Sequence, residues 1–273
     1  MTAEQNRIRE LLDEVAVCRS SDPARARKLA LQARVHARAA ELPLEEAEAL
    51  YQLASIAHQH QHADDAFALA SEAVTLAENG EPNLTLAWSL HLIGVVHYQA
   101  SNFASALEAC LQAIQVYRAT HDDINEGKIL HTIAAVYQSM GDYDRAITTY
   151  ESALAINEPL GRRDLDSMVM GNLARIRGRR GEYLPAVSLG RKAVELSRDH
   201  APHLVGGLLA DLAEAYVGLA DHASAALCFA EARADWEYRT ADGGELSTTE
   251  QWGVMAVSYT HLTLPTIVRE GRG

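Results

Sequence analysis

Small and large apolar residues recur along this chain at an interval of about 40 residues. Within each interval, apolar positions three or four residues apart predict two amphipathic helices, and small residues mark where the two backbones cross closely. Pairs of alanines return in each interval at Ala26 and Ala33, Ala66 and Ala73, Ala106 and Ala113, Ala146 and Ala153, Ala186 and Ala193, and Ala225 and Ala232. Six tandem copies of one supersecondary unit predict a structure in which successive units stack on one another.

The start of the second helix in each unit is also marked in the sequence. A turn-to-helix residue, often aromatic, stands three positions before the first alanine of every pair, at Pro23, Ala63, Phe103, Tyr143, Tyr183 and His222. Glycine and polar residues precede several of these positions, as in Ser139–Asp142. The first unit has charged residues in its first helix where later units are apolar or small, which is typical of a terminal repeat that faces water.

The run from Gly141 to Ala146, followed by Tyr150 and Ala153, resembles the tetratricopeptide repeat motif. The resemblance covers residues from about 7 to 244, with a unit longer than the usual length of about 34 residues. It is similar to the longer-unit bacterial type. It implies an all-α fold, an α-solenoid of six helix-turn-helix repeats that form a superhelix. We expect the solenoid at 1–244, with repeats at about 4–42, 44–82, 84–122, 124–162, 164–202 and 203–242.

The end of the chain departs from the repeat pattern. Trp252 and Gly253 repeat the large-small pair that occurs within the first helix of the other units, so we expect 245–256 to be the start of a truncated seventh repeat. The run Val257–Thr266 looks like a translated sequencing adaptor, and we therefore expect 257–273 to be read-through that is not native. A natural β-prone tail is the alternative.

Composition narrows the class of protein. The formal net charge of −13 argues against nonspecific nucleic-acid binding. The sequence has no apolar stretch that would span a membrane, and Cys18, Cys110 and Cys228 lack metal-ligand spacing. We expect a cytoplasmic protein with reduced thiols, without nucleic-acid or membrane partners for this segment.

Motifs for catalysis are absent from the sequence. It contains no phosphate-binding loop, dinucleotide fingerprint, nucleophile elbow or H-E-x-x-H pair. His58, His60 and His62 stand at every second position. Because the run crosses the turn between two helices, these histidines do not share a helix face, and a polar turn is favoured over a zinc site. We expect no enzyme activity, no cofactor and no metal.

The resemblance implies that the first helix of each unit lines a concave groove, and this gives a candidate binding surface. Tyr51, His91 and His131 share one phase and are expected to form a ladder of rings, with Trp88 and Tyr98 adding rigid contact area. The alternative is that these rings pack between helices. The predicted groove residues are Tyr51, Ser55, His58, Trp88, His91, Tyr98, Lys128, His131, Gln138, Arg175 and Arg179.

The second candidate is electrostatic. The segment from Arg162 to Arg198 carries nine basic and four acidic residues in an otherwise acidic chain. Arg175 and Arg179, four positions apart, would share a helix face that could hold a partner's carboxylate or phosphate. A solvated basic face beside acidic repeats is the alternative.

Two function classes follow. The first is a scaffold whose groove binds a peptide or protein segment. The alternative is the N-terminal sensor or regulatory region of a larger bacterial signalling protein, such as a diguanylate cyclase or transcription regulator, whose effector domain is missing. The partner's identity, the pathway and the oligomeric state are left open by the sequence.

Overall fold

The computed structural model describes residues 2–241, and this range is all-helical. The segments 245–256 and 257–273, predicted as a seventh repeat and as adaptor read-through, lie outside the described residues. The helices of the described range are α1 (Ala3–Cys18), α2 (Pro23–Ala39), α3 (Pro43–Gln59), α4 (Ala63–Ala77), α5 (Leu84–Gln99), α6 (Phe103–Ala119), α7 (Asp123–Ser139), α8 (Tyr143–Asn157), α9 (Arg163–Arg179), α10 (Tyr183–His200), α11 (Val205–Gly218) and α12 (His222–Ala241). A 3₁₀ turn at Pro202–Leu204 precedes α11.

These helices form six pairs, in which the odd-numbered member is the first helix of a repeat and the even-numbered member the second. Every second helix begins at the turn-to-helix residue that the sequence marks, from Pro23 in α2 to His222 in α12. Side-chain caps help to set some of the first-helix starts: Thr2 and Gln5 form a capping box, and Asp122 accepts from the Asn125 amide. The all-α prediction is confirmed for the described residues.

The turn inside most repeats is made by one residue in the left-handed region. Its φ lies between 60° and 79° at Gln61, Ser101, Gly141, Gly181 and Ala220. The amide of the next residue then donates to a carbonyl five positions back, as from Asn102 to His97 at 2.8 Å. Glycine accepts this conformation without strain, whereas another residue costs about 1 kcal/mol.

The N-terminal unit extends to Ile156. Its helices from α1 to α7 pack on their neighbours in the chain, and the first helices α1, α3, α5 and α7 also contact one another in sequence. The paired alanines are buried completely because they lie where helices approach closely, at Ala26, Ala33, Ala66, Ala73, Ala106, Ala113, Ala146 and Ala153. At Gly94 the approach is closer still, since an added Cβ would lie 2.4 Å from Cys110 Sγ. The Gly94 contact joins the first and second helices of one repeat.

The C-terminal unit begins at Asn157. Its α9 packs on α10 and α11, and α11 packs on α12. Leu208, Leu212, Phe229 and Trp236 form its main apolar cluster, with Trp236 only 1% exposed. None of the described helices in either unit is long and apolar enough to cross a membrane.

Candidate functional site

The first-helix face of the N-terminal unit carries the predicted rings. Tyr51 on α3 and Trp88 on α5 are partly buried, with ring centroids 5.5 Å apart and planes tilted by 31°. Arg19, the residue that follows α1, donates to Gln52 Oε1 at 2.9 Å beside Tyr51. Burial raises the pKa of Tyr51, and the nearby Arg19 opposes that rise. The phenol is therefore neutral, and three successive first helices meet around it.

The imidazole of His91 on α5 is held in one tautomer. Its Nε2 lies 3.0 Å from Thr132 Oγ1, and that hydroxyl donates to the Lys128 carbonyl at 3.3 Å. The hydroxyl proton is already used, so the Thr132 oxygen accepts from Nε2–H of His91. Burial lowers the pKa of His91 to about 4, and the charges of Lys128 and His131 contribute to this shift. His91 is thus a neutral donor at pH 7.

Tyr51, His91 and His131, the three rings of the predicted ladder, each contact an aromatic ring that is not part of the ladder. Tyr51 contacts Trp88, and His91 packs edge-on against Tyr117 at 6.2 Å. His131 contacts Tyr150 at 5.6 Å, with the ring planes tilted by 55°. Tyr117 and Tyr150 come from the second helices of the same repeats and are fully buried. This packing supports the alternative for the two imidazoles, and their part in binding stays a prediction.

Polar contacts join successive first helices at their C-terminal ends. His58 Nε2 lies 3.1 Å from Gln99 Oε1, and Ser139 Oγ donates to Tyr98 OH at 3.4 Å. Both contacts link residues 41 positions apart. Gln138 accepts from Tyr150 OH at 3.2 Å, and Lys128 donates to Asn125 at 3.4 Å. Ser55 is partly buried on α3. The contacts between successive first helices at these ends are therefore made by neutral polar groups.

The predicted arginine pair lies in the C-terminal unit, where Arg175 is already engaged. Arg175 Nε donates to Asp211 Oδ2 at 3.0 Å, and its terminal nitrogen donates to Asn172 at 2.8 Å. Arg179 is exposed on the same helix. The lining of a cavity of 250 Å³ includes both arginines together with Tyr183, Asp211 and Glu214.

Asp211 and Glu214 on α11 were missed by the sequence reasoning. Burial raises the pKa of both carboxyl groups, while the charge of Arg175 opposes the rise in each case. The arrangement favours the alternative of a basic face beside acidic residues. Comparison of the sixth repeat with the fifth could have found these acids, because they stand on the neighbouring first helix.

The histidine run is divided by the turn, as expected. His58 lies on α3, His60 follows its last residue, and His62 precedes α4. Within residues 2–241, no group of three or more His, Cys, Asp or Glu side chains could hold a metal ion.

Tandem helix pairs with a recurrent 40-residue spacing define the class as an α-helical repeat protein. Tetratricopeptide repeat family models match residues 86–124 and 125–199. The chain therefore contains tetratricopeptide repeats, which the family models place at residues 86–199. A comparison with curated protein sequences gave no match.

Solved structures share this fold at low sequence identity. BtubC (BKLC) from P. vanneervenii is 17% identical with a TM-score of 0.63, over 91% of this chain and 95% of that one. A Rap protein complexed with competence and sporulation factor is 13% identical with a TM-score of 0.65, over 96% and 77%. A signal transduction ATPase with a tetratricopeptide repeat sensor, from Pyrococcus horikoshii, is 15% identical with a TM-score of 0.65, over 96% of this chain and 48% of that one.

Proposed function

We propose that this protein is an interaction scaffold that binds a peptide segment of a partner protein along the first-helix face of its N-terminal unit. The observation that carries the proposal is the Tyr51–Trp88 ring pair, which joins two repeats on that face. Aromatic side chains give large contact area at a small loss of conformational entropy, and they are enriched at binding hot spots.

The neighbouring groups would set the orientation of the peptide. His58, Gln99 and Gln138 carry amide or imidazole groups at the C-terminal ends of the first helices. Such groups can exchange their mutual hydrogen bonds for bonds to a peptide backbone at little net cost. The Rap protein complexed with competence and sporulation factor has a similar fold, which supports binding as the biochemical act.

The test compares aromatic residues of the two units in the 273-residue chain. Peptides are first selected from a displayed random library against the wild-type protein, and their affinities are then measured for Tyr51→Ala, Trp88→Ala and a control. The control is Tyr238→Ala, because Tyr238 is 74% exposed on α12. We expect Tyr51→Ala and Trp88→Ala to weaken binding about tenfold or more.

Circular dichroism separates a binding role from a packing role. Retained helicity with weakened binding supports the proposal. Unchanged affinity in both ring variants contradicts it, and so does a loss of helicity in Tyr51→Ala, because the ring would then be part of the core.

A second candidate function is the sensor region of a larger signalling protein. Its support is the fold shared with the Pyrococcus horikoshii protein, which has a tetratricopeptide repeat sensor and of which this chain covers 48%. The gene beyond the codon for Ala256 tests it. A reading frame that continues into a catalytic or DNA-binding domain supports the sensor role, and a frame that stops contradicts it.

A further inference from the structure

A cleft of 610 Å³ lies between the second helices of the first two repeats. Its volume falls within the range of about 300–1,000 Å³ that is usual for ligand pockets. Leu53, Ile56 and Ala57 of α3 and Leu69 of α4 contribute its apolar lining. Arg27, Leu31 and Arg34 of α2 line it on one side, while His60, His62, Asp65 and Ala68 line it on the other. The cleft is thus apolar inside and charged at its edges.

The next repeats show why the cleft is open here. In steps of 40 residues, Arg27 corresponds to Phe67, and Ala57 corresponds to His97 and then Tyr137. Phe67 and His97 are in edge-to-face contact, with ring centroids 5.2 Å apart. In the fourth repeat, Arg145 stacks over Tyr137 at 5.6 Å. Rings therefore occupy positions that Ala57 and Arg27 leave open between the first two repeats.

The wall that α2 contributes is strongly basic. The helix carries Arg25, Arg27, Lys28, Arg34 and Arg38 and no Asp or Glu, in a chain of net charge −13. Acidic side chains of other helices pair with three of these residues, Arg25, Arg34 and Arg38. Arg27 and Lys28 are exposed, and within residues 2–241 neither has an ion pair or a side-chain hydrogen bond. Arg27 is therefore a positive charge in the lining of the cleft that makes no ion pair among the described residues, and Lys28 follows it on α2.

Apolar surface continues from the cleft along α2. Leu31 is 38% exposed and Val35 is 67% exposed. Arg27, Leu31 and Val35 are spaced four residues apart, so they lie on one face of the helix. A partner that covers this face needs apolar side chains and negative charge along more than one helical turn. An acidic amphipathic segment has this pattern, because its own apolar and acidic residues repeat at the same spacing.

We propose that the cleft between α2 and α4 docks an acidic amphipathic peptide segment of a partner protein. An aliphatic or aromatic side chain of the segment enters the cleft above Ala57, and its carboxylates pair with Arg27 and Lys28. Asp65 on the opposite side fixes the direction, since it repels carboxylates toward α2. This surface is formed by second helices and is separate from the first-helix face proposed above.

The experiment uses the full-length chain and a displayed library of short random peptides. Peptides that bind the wild-type protein are depleted on Ala57→Tyr, in which the ring present at the corresponding Tyr137 fills the cleft. We expect the remaining peptides to be enriched in Asp or Glu spaced with Leu, Ile or Phe. Peptides that bind the first-helix face still bind Ala57→Tyr, so the depletion removes them. Failure of the cleft proposal is therefore distinguishable from failure of the function proposed above.

Charge variants then measure the ionic part of binding for individual enriched peptides. Arg27→Glu should weaken binding about tenfold or more, and Asp65→Asn should strengthen it. The matched control is Lys192→Glu, which reverses an exposed charge on α10 and should leave affinity unchanged. If Ala57→Tyr fails to fold, the depletion is carried out on Arg27→Glu instead, because Arg27 is exposed.

Three results would overturn the proposal. The first is an absence of enriched peptides after depletion. The second is equal loss of affinity in Arg27→Glu and Lys192→Glu, which would show an unspecific charge effect. The third is binding of a small amphipathic carboxylate, with decanoate as the probe, that depends on Arg27 while acidic peptides do not bind.

Discussion

The N-terminal and C-terminal units consist of helix pairs of the same type, but different contacts join the first helices of successive repeats in each unit. In the N-terminal unit, rings and neutral hydrogen bonds connect the later first helices, as in Tyr51–Trp88 and His91–Thr132. In the C-terminal unit, Arg175 reaches Asp211 across the equivalent space. The backbone repeat therefore fixes where these positions meet, while the residue types decide whether the face responds to pH and charge.

Acid should affect the two faces in opposite directions, and this is the largest effect we expect. The fold lowers the pKa of His91 from 6.5 to about 4, so its contribution to stability is complete above pH 6.5 and is lost as pH falls toward 4. Between about pH 7 and pH 4.5, the loss is at most about 2.5 kcal/mol. His91→Gln, which keeps a donor for Thr132, should show a smaller acid destabilisation in chemical unfolding.

In the C-terminal unit, Asp211 should contribute a pH dependence of stability that has the opposite sign. The fold raises the pKa of Asp211, so its contribution is present at low pH and is lost as pH rises through the folded value. Asp211→Asn removes this gain, and the variant should therefore lose stability more steeply than wild type as pH falls. If His91→Gln and Asp211→Asn change the pH dependence in the same direction, the comparison between the faces is wrong.

Glycine substitutions should break the close approach in one unit and leave the other nearly unchanged. An added Cβ at Gly94 meets Cys110 Sγ at 2.4 Å and the Ala106 carbonyl oxygen at 3.3 Å, whereas at Gly171 it meets only the end of the Leu208 side chain. We expect Gly94→Ala to lower the free energy of unfolding by about 1–2 kcal/mol. Gly171→Ala should stay within about 0.5 kcal/mol, since leucine can move and alanine favours the helix.

Thermal unfolding of both variants checks this difference. Cys110→Ala in the Gly94→Ala background should restore part of the loss, because it removes the nearest atom. Equal costs for Gly94→Ala and Gly171→Ala would contradict the stated difference in packing.

The smallest effect we expect is a difference in unfolding free energy between the loss of a partly buried ion pair and the loss of an exposed one. Arg175→Gln leaves Asp211 without its ion-pair partner, where the side chains are 35% and 24% exposed, and should cost about 1 kcal/mol. Arg198→Gln is the matched control, since Arg198 and Glu231 are 52% and 46% exposed, and it should cost less than about 0.5 kcal/mol. Urea unfolding curves give both values, and the reverse order would show that burial does not set the strength of these pairs.

Much of the helical pattern could be predicted from the chain. Phe103, Tyr143 and Tyr183 begin second helices as expected, because a turn signal and a following apolar period mark the same position. The candidate site was predicted less completely. Periodicity places Arg175 on the first-helix face of its repeat. It does not show that the Arg175 guanidinium donates to Asp211 of the next repeat.

The repeat, the helix pairs and the small residues at their crossings can be predicted from the amino-acid sequence. These follow from local periodicity and from side-chain size, which are properties of single positions along the chain. Helix packing, in contrast, makes His91 a neutral donor, engages Arg175 and leaves the space above Ala57 open. Such properties depend on which side chains of neighbouring repeats meet, and burial and pairing arise from that meeting rather than from either residue alone.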